Sequence, residues 1–246
     1  MVSVSCIFFL VIPEKWLPSK RNRIKSNWHY PLSMHGIRQK EENEMNAETK
    51  NKLNYKLSTA SIVLIPIAIG INYLGKYIAG VLRLPLWLDS IGTVLSGMLA
   101  GPVIGAASGI INNVIYGVTA DPTSTVYAIT SAVIGLMAGL FAAKGWFKDI
   151  KTVLLAGLII GVVAATLSTP LNIVFWGGQT GNVWGDALYA VLISNGQPQW
   201  LASFLDGIVV DVPDKLVTVL ISYFIFRGLP KKLTNTFLKD GAIEDL

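Results

Sequence analysis

The chain has 246 residues, 52% of them hydrophobic and 14% charged, with a formal net charge of +5 and a mean hydropathy of +0.53. Ordinary soluble proteins carry about 25% charged residues, so this composition excludes a well-wetted soluble surface, a disordered or collagenous chain and a disulfide-rich secreted scaffold. It fits a polytopic membrane protein.

Residues 1–44 do not match the rest. They hold one apolar run, Val2 to Pro13, too short to span a bilayer, then the basic stretch KWLPSKRNRIK. No basic segment precedes the run and no small-residue cleavage site follows it, so no signal peptide is expected. Lys40-Glu41-Glu42 can be encoded AAG-GAG-GAA, which contains a bacterial ribosome-binding sequence just upstream of Met45. Translation is therefore expected to start at Met45, with 1–44 a non-native or disordered N-terminal extension and 45–246 a single six-span membrane domain. Cys6, His29 and His35 are the only residues of their types, and all precede position 45. Positions 46–246 thus offer no disulfide, no Cys or His metal site, no cysteine nucleophile and no Ser-His-Asp triad.

Apolar segments then follow at 58–80, 85–100, 102–118, 124–143, 153–176 and 208–228, most near the ~20 residues of a spanning helix. The second and third are short and meet at Gly101-Pro102, which reads as a tight helical hairpin. The connection from Trp176 to Asp206 is less apolar and rich in Gly, Asn, Gln and Trp. The fold class is all-α, a compact six-helix transmembrane bundle. Lys50, Lys52, Lys56, Lys144, Lys148, Lys151, Arg227, Lys231, Lys232 and Lys239 fall on one side of it, against Lys76, Arg83 and Lys215 on the other. The Lys/Arg-rich side is expected to be cytoplasmic, with both termini inside a cell membrane. Topology accounts for the positive charge, and no nucleic-acid partner is inferred.

Small residues recur every four positions: Gly101, Gly105, Gly109, Asn113 and Gly117 in the third span, Ser131, Gly135, Gly139 and Ala143 in the fourth, Gly157, Gly161, Ala165 and Thr169 in the fifth. That spacing holds them near one helix face and lets backbones approach closely. Packing inside the bundle and contact with another membrane subunit both remain open for these stripes.

Polar groups collect toward the outward ends. Asn72, Lys76, Trp87 and Asp89 lie around the first loop, Asn112, Asn113 and Tyr116 at the end of the third span, Asn172 and Trp176 at the end of the fifth, and Lys215 near the start of the sixth. Polar groups at membrane depth need partners or a wet cavity, and aromatics flanked by amides and a few charges make a ligand pocket. The tryptophans also suit an interfacial belt, and the asparagines also suit interhelical hydrogen bonds. In Asp211-Val212-Pro213-Asp214-Lys215, Pro213 suits the first turn of a helix, and Asp211 can pair with Lys215 across one turn. Alternatively, Lys215 faces the pocket and meets an anionic part of the ligand. No Walker A, Rossmann or zinc-ligand motif is present, and Asp89, Asp206, Asp211 and Asp214 show no catalytic spacing. The chain is not expected to be an enzyme or to bind a metal.

The stretch LWLDSIGTVLSGMLAGPVIGAASGIINNVIYG, Leu86 to Gly117, resembles the second and third helices of substrate-binding S components of energy-coupling factor transporters. Its GPVIGAASG core is similar to the Gly-Pro-x-x-Gly-Ala-x-x-Gly turn of many of them. The resemblance implies a membrane protein that binds a vitamin or related micronutrient on its outer side and works with a transmembrane coupling subunit and two cytosolic ATPases. The chain itself would bind no cofactor, and ATP would be used by the partner subunits. The aromatic and amide content suits cobalamin or riboflavin, with pyridoxine and pantothenate open. One departure is that small residues four apart, used by the family's first helix against the coupling subunit, are missing: Leu64 follows Ala60 and Asn72 follows Ala68. The competing class is a membrane sensory module of the LytS type without an output domain, since such modules share similar glycine-rich hairpins.

Overall fold

A computed structural model describes residues 59–238. The expected extension over 1–44 and the expected start at Met45 lie outside them. The described residues form helices α1 (Thr59–Val81), α2 (Ile91–Thr119), a 3-10 turn (Pro122–Tyr127), α3 (Ala128–Ala143), α4 (Ile150–Trp176), α5 (Val183–Ser194), α6 (Gln199–Gly228) and α7 (Lys231–Leu238), with no strand among them. Four stretches among them are long and apolar enough to cross a membrane: α1, α2, the 3-10 turn with α3, and α4. That is the pattern of a multi-pass membrane protein. The six-span expectation meets these four because α2 folds back on itself and α6 carries Asp206, Asp211, Asp214 and Lys215.

The reversal in α2 falls at Gly101, whose φ of 85° and ψ of 175° interrupt the helix. Only glycine adopts that φ without strain, and Pro102 then opens the second limb where a missing N–H costs nothing. The Ser96 and Ser108 hydroxyls lie 2.6 Å apart, whereas twelve residues of continuous helix span about 18 Å. The expected hairpin at Gly101-Pro102 is therefore present. Its first limb starts at Ile91 rather than 85, because Leu86–Ser90 is irregular and Leu88 has a φ of 50°.

That irregular segment is tied to the middle of α6. The backbone N–H groups of Trp87 and Leu88 donate to Asp214 Oδ1 at 3.0 and 2.8 Å. Non-helical backbone is tolerated at membrane depth only where protein satisfies it, and a buried carboxylate does so here. Asp211–Lys215 is accordingly not a helix start. α6 begins at Gln199 and Pro213 sits inside it, leaving the Val209 carbonyl without its helical donor. The connection after Trp176 also contains a helix the sequence reading did not expect. Asn182 caps α5 by accepting from the Trp184 N–H at 3.1 Å, and a Cβ on Gly185 would stand 1.9 Å from Asp206 Oδ1, so α5 presses on α6.

The small-residue stripes are spent inside the bundle. A Cβ on Gly135 would stand 2.1 Å from the Gly105 carbonyl oxygen, and one on Gly109 2.4 Å from that of Ser131. The second limb of α2 thus lies directly on α3. The α4 stripe meets α6 in the same way, with a Gly161 Cβ falling 2.8 Å from the Val212 Cα. Val94, Met98, Ile134, Val153, Ile160 and Val219 form the main core. Phe237 of α7 closes a second cluster with Leu64, Leu95, Leu99 and Ile104. Outer faces stay apolar, with Ile62, Val63, Ile67 and Leu74 of α1 and Val103, Ile110 and Val118 of α2 exposed.

Candidate ligand-binding site

One end of the bundle is joined by side-chain bonds. The Tyr73 hydroxyl lies 2.7 Å from Thr119 Oγ1, and Lys76 Nζ donates to Ser124 Oγ at 2.9 Å, bringing the ends of α1 and α2 to the 3-10 turn. Tyr127 donates its hydroxyl to Asn172 Oδ1 at 2.6 Å, adding α4. Thr180 Oγ1 donates to Asp206 Oδ1 at 2.9 Å, adding α6. Between these elements lies a cavity of about 210 Å³. The opposite end carries Lys144, Lys148, Arg227, Lys231 and Lys232, at the C-termini of α3 and α6 and the adjoining turns.

Of the ten residues the sequence singled out, Lys76, Trp87, Asp89, Asn113, Asn172 and Lys215 line this cavity. Tyr116 stands beside it, its ring 3.9 Å from Lys76 Nζ and edge-on to Tyr73. Asn72, Asn112 and Trp176 are not among the lining residues. Trp176 ends α4 with its ring partly exposed, and Asn112 is buried with an Oδ1 that accepts no hydrogen bond.

Asn72 has a structural task. It is 1% exposed; its Oδ1 accepts from the Gly92 N–H at 2.7 Å and its Nδ2 donates to Thr93 Oγ1 at 2.9 Å. Ser90 supplies no side-chain cap, so Asn72 satisfies the first turn of α2 from a neighbouring helix. Asn72→Leu is expected to cost about 1–3 kcal/mol, the penalty of orphaned buried donors. Thermal melting checks this, and ligand affinity at the melting-corrected temperature should stay unchanged.

Lys215 does not pair with Asp211. Its Nζ donates to Ser90 Oγ at 2.9 Å and to Asp214 Oδ2, and lies 3.5 Å from Asp89 Oδ1. Two carboxylates already neutralise this 3% exposed ammonium, which leaves little charge for an anionic ligand. Burial raises the Asp89 carboxyl, but the ammonium groups of Lys215 and Lys76 and a bond from Ser90 outweigh it and hold Asp89 below the ordinary carboxylate range. Burial likewise raises Asp121, yet bonds from the Thr123 side chain and backbone and the charge of Lys76 bring it below its ordinary value. Both are anionic at neutral pH.

The sequence reading missed Asp121, Thr123, Ser124, Tyr127, Thr130, Ser131, Ser168, Thr180 and Gly181 as lining residues. The signal for the first four was available: Asp121-Pro122-Thr123-Ser124 is a capping sequence with Pro at the first turn. Asp121 indeed accepts from the Thr123 N–H at 3.1 Å, opening the 3-10 turn that carries Tyr127. Two lining cations, Lys76 and Lys215, face three lining carboxylates, Asp89, Asp121 and Asp211. Among the described residues no group of three His, Cys, Asp or Glu is placed to hold a metal ion. No family model, curated protein or solved structure matches this chain.

Proposed function

We propose that this chain is a substrate-binding S component of an energy-coupling factor transporter, a six-span protein of the cell membrane with both termini in the cytoplasm. In this reading the two limbs of α2 and the helix α6 complete the six. The observation that carries it is a half-open cavity lined by Lys, Asp, Asn, Ser and Thr side chains at the end of an otherwise apolar bundle, opposite the Lys/Arg-rich end. Polar side chains in such a setting are costly unless they serve a ligand or one another, and the positive-inside rule turns the cavity outward. The ligand is a vitamin or related micronutrient. At about 210 Å³ the cavity lies below the ~300–1,000 Å³ of sites for drug-sized molecules, which weighs against cobalamin and favours a single small ring system or short chain over riboflavin. No nucleotide-binding motif occurs in the sequence, so energy would come from ATP hydrolysed by two cytosolic ATPases acting through a transmembrane coupling subunit, with lipid surrounding the apolar faces.

Two measurements test this. The purified protein is expected to melt higher with one member of a broad vitamin panel, without ATP. Cells should accumulate that compound only when the coupling subunit and ATPases are co-expressed. Uptake by this chain alone, or no stabilisation across the panel, would remove the assignment.

A further inference from the structure

Asp211 differs from every other acidic group around the cavity. Asp214 is bonded by Lys215, Trp87 and Leu88. Asp206 is bonded by Thr180, Asp121 by Thr123, and Asp89 lies against Lys215. Asp211 is 8% exposed and lines the cavity, yet it makes no hydrogen bond and no ion pair among the described residues. Its charged surroundings are Lys215, already engaged, and the carboxylates Asp214, Asp89 and Asp206. A carboxylate withdrawn from water without a partner is costly, and inside a membrane segment such a group marks a functional site.

Two further polar groups point the same way. Asn172 has its Oδ1 occupied by Tyr127, while its buried Nδ2 has no acceptor, and Thr130 Oγ1 is likewise buried without a partner. Both line the cavity with Asp211. The lining also includes the rings of Trp87 and Tyr127 and the aliphatic Ile134, which suit an organic body better than a bare ion. A hard metal ion takes about six oxygen ligands, and among the described residues no group of three His, Cys, Asp or Glu is placed to hold one.

We propose that Asp211 is the counter-ion for a positively charged nitrogen of an organic ligand, a protonated amine or a cationic heteroaromatic ring, with Asn172 donating to that molecule and Thr130 bonding it. This rests on the binding role proposed above and names the charge class of its ligand. Electrostatics support it: with Asp214 already bonded to Lys215, carboxylates outnumber Lys76 and Lys215 around the cavity, so a cation reduces the excess whereas an anion would add to it.

The full chain in detergent is screened by thermal shift with charge-matched compounds: pyridoxamine and thiamine as cations, pyridoxine and riboflavin as neutral members, pantothenate and nicotinate as anions. A cationic member is expected to stabilise the wild-type protein more than its neutral counterpart. Asp211→Asn is expected to weaken that binding about 30-fold or more, as loss of one partner of a buried charge pair does, with Asp211→Glu restoring part of it. Without ligand, Asp211→Asn should melt no lower than wild type, because no group in the protein bonds the carboxylate. Unchanged affinity in Asp211→Asn, or failure of that variant to fold, would make the carboxylate structural and overturn the proposal. Stabilisation by neutral or anionic members alone would keep the binding role and remove the cation assignment. No stabilisation by any member would remove both.

Discussion

Gly135→Val is expected to destabilise the protein by about 3 kcal/mol, at the upper end of the cost of overpacking a filled core. The usual relief is that a flexible side chain swings away, and here no such relief exists. The first carbon added to Gly135 falls 2.1 Å from the Gly105 carbonyl oxygen and 2.2 Å from its carbon. The opposing strand of contact is equally rigid, since a Cβ on Gly105 would lie 2.4 Å from the Gly135 carbonyl oxygen. The two backbones must separate, and Ser131 then loses its bond to Asn113 at the cavity wall. Gly70→Ala is the control: nothing lies within 4 Å of a Cβ there, and removing a mid-helix glycine favours the helix by up to about 1 kcal/mol. Thermal melting of both variants in the same detergent decides the matter. A Gly135→Val protein that melts with wild type would refute the close approach of α2 to α3.

The same contact bears on partners. With the stripes of α2, α3 and α4 all consumed internally, none is left as a docking face for a second membrane subunit. The surface left free is made of branched apolar residues along α1 and the second limb of α2, such as Ile67, Leu74 and Ile110. Association there would rely on shape and on lipid displacement rather than on close backbone approach.

The hairpin at Gly101-Pro102 was legible because a positive-φ glycine followed by proline is a local signal. α1, α3 and α4 were legible because hydropathy alone delimits long apolar helices. The start of α6 was hidden because Gln199, Asp206 and Asp211 interrupt the apolar run in its first half, and Pro213 beside Asp214 imitates a helix start. α5 was hidden because Asn182, Gly185 and Asn195 punctuate it like a connection, and its twelve residues are too few to stand out. Within the site, Asn113 and Asn172 looked the same as Asn72 and Asn112 in sequence. Only tertiary placement separates an amide that lines a cavity from one that caps a neighbouring helix. The pairing of Asp211 with Lys215 failed for a related reason. Helical spacing permits it, but Asp214, adjacent in sequence, and Asp89, from a distant loop, reach the ammonium instead.

Asp214→Ala is expected to cost about 3–5 kcal/mol, the range for removing one partner of a buried ion pair. Three losses combine in one side chain. Lys215 keeps only Ser90 and the longer approach to Asp89 at 3.5 Å, so a buried ammonium becomes undercompensated. The N–H groups of Trp87 and Leu88 lose their acceptor, and within a bilayer no water replaces it. The segment that carries Trp87 and Asp89 into the cavity then loses its attachment to α6. Asp214→Asn separates these effects, because the amide oxygen can still accept from the two N–H groups while the charge is gone. It should fall between wild type and Asp214→Ala. Adding Lys215→Met to Asp214→Ala removes the stranded charge and should recover part of the loss, giving a coupling of about 0.5–3 kcal/mol in a double-mutant cycle. Strictly additive single and double variants would mean that the pair contributes nothing as a pair, and that the loop bonds alone hold this side of the cavity.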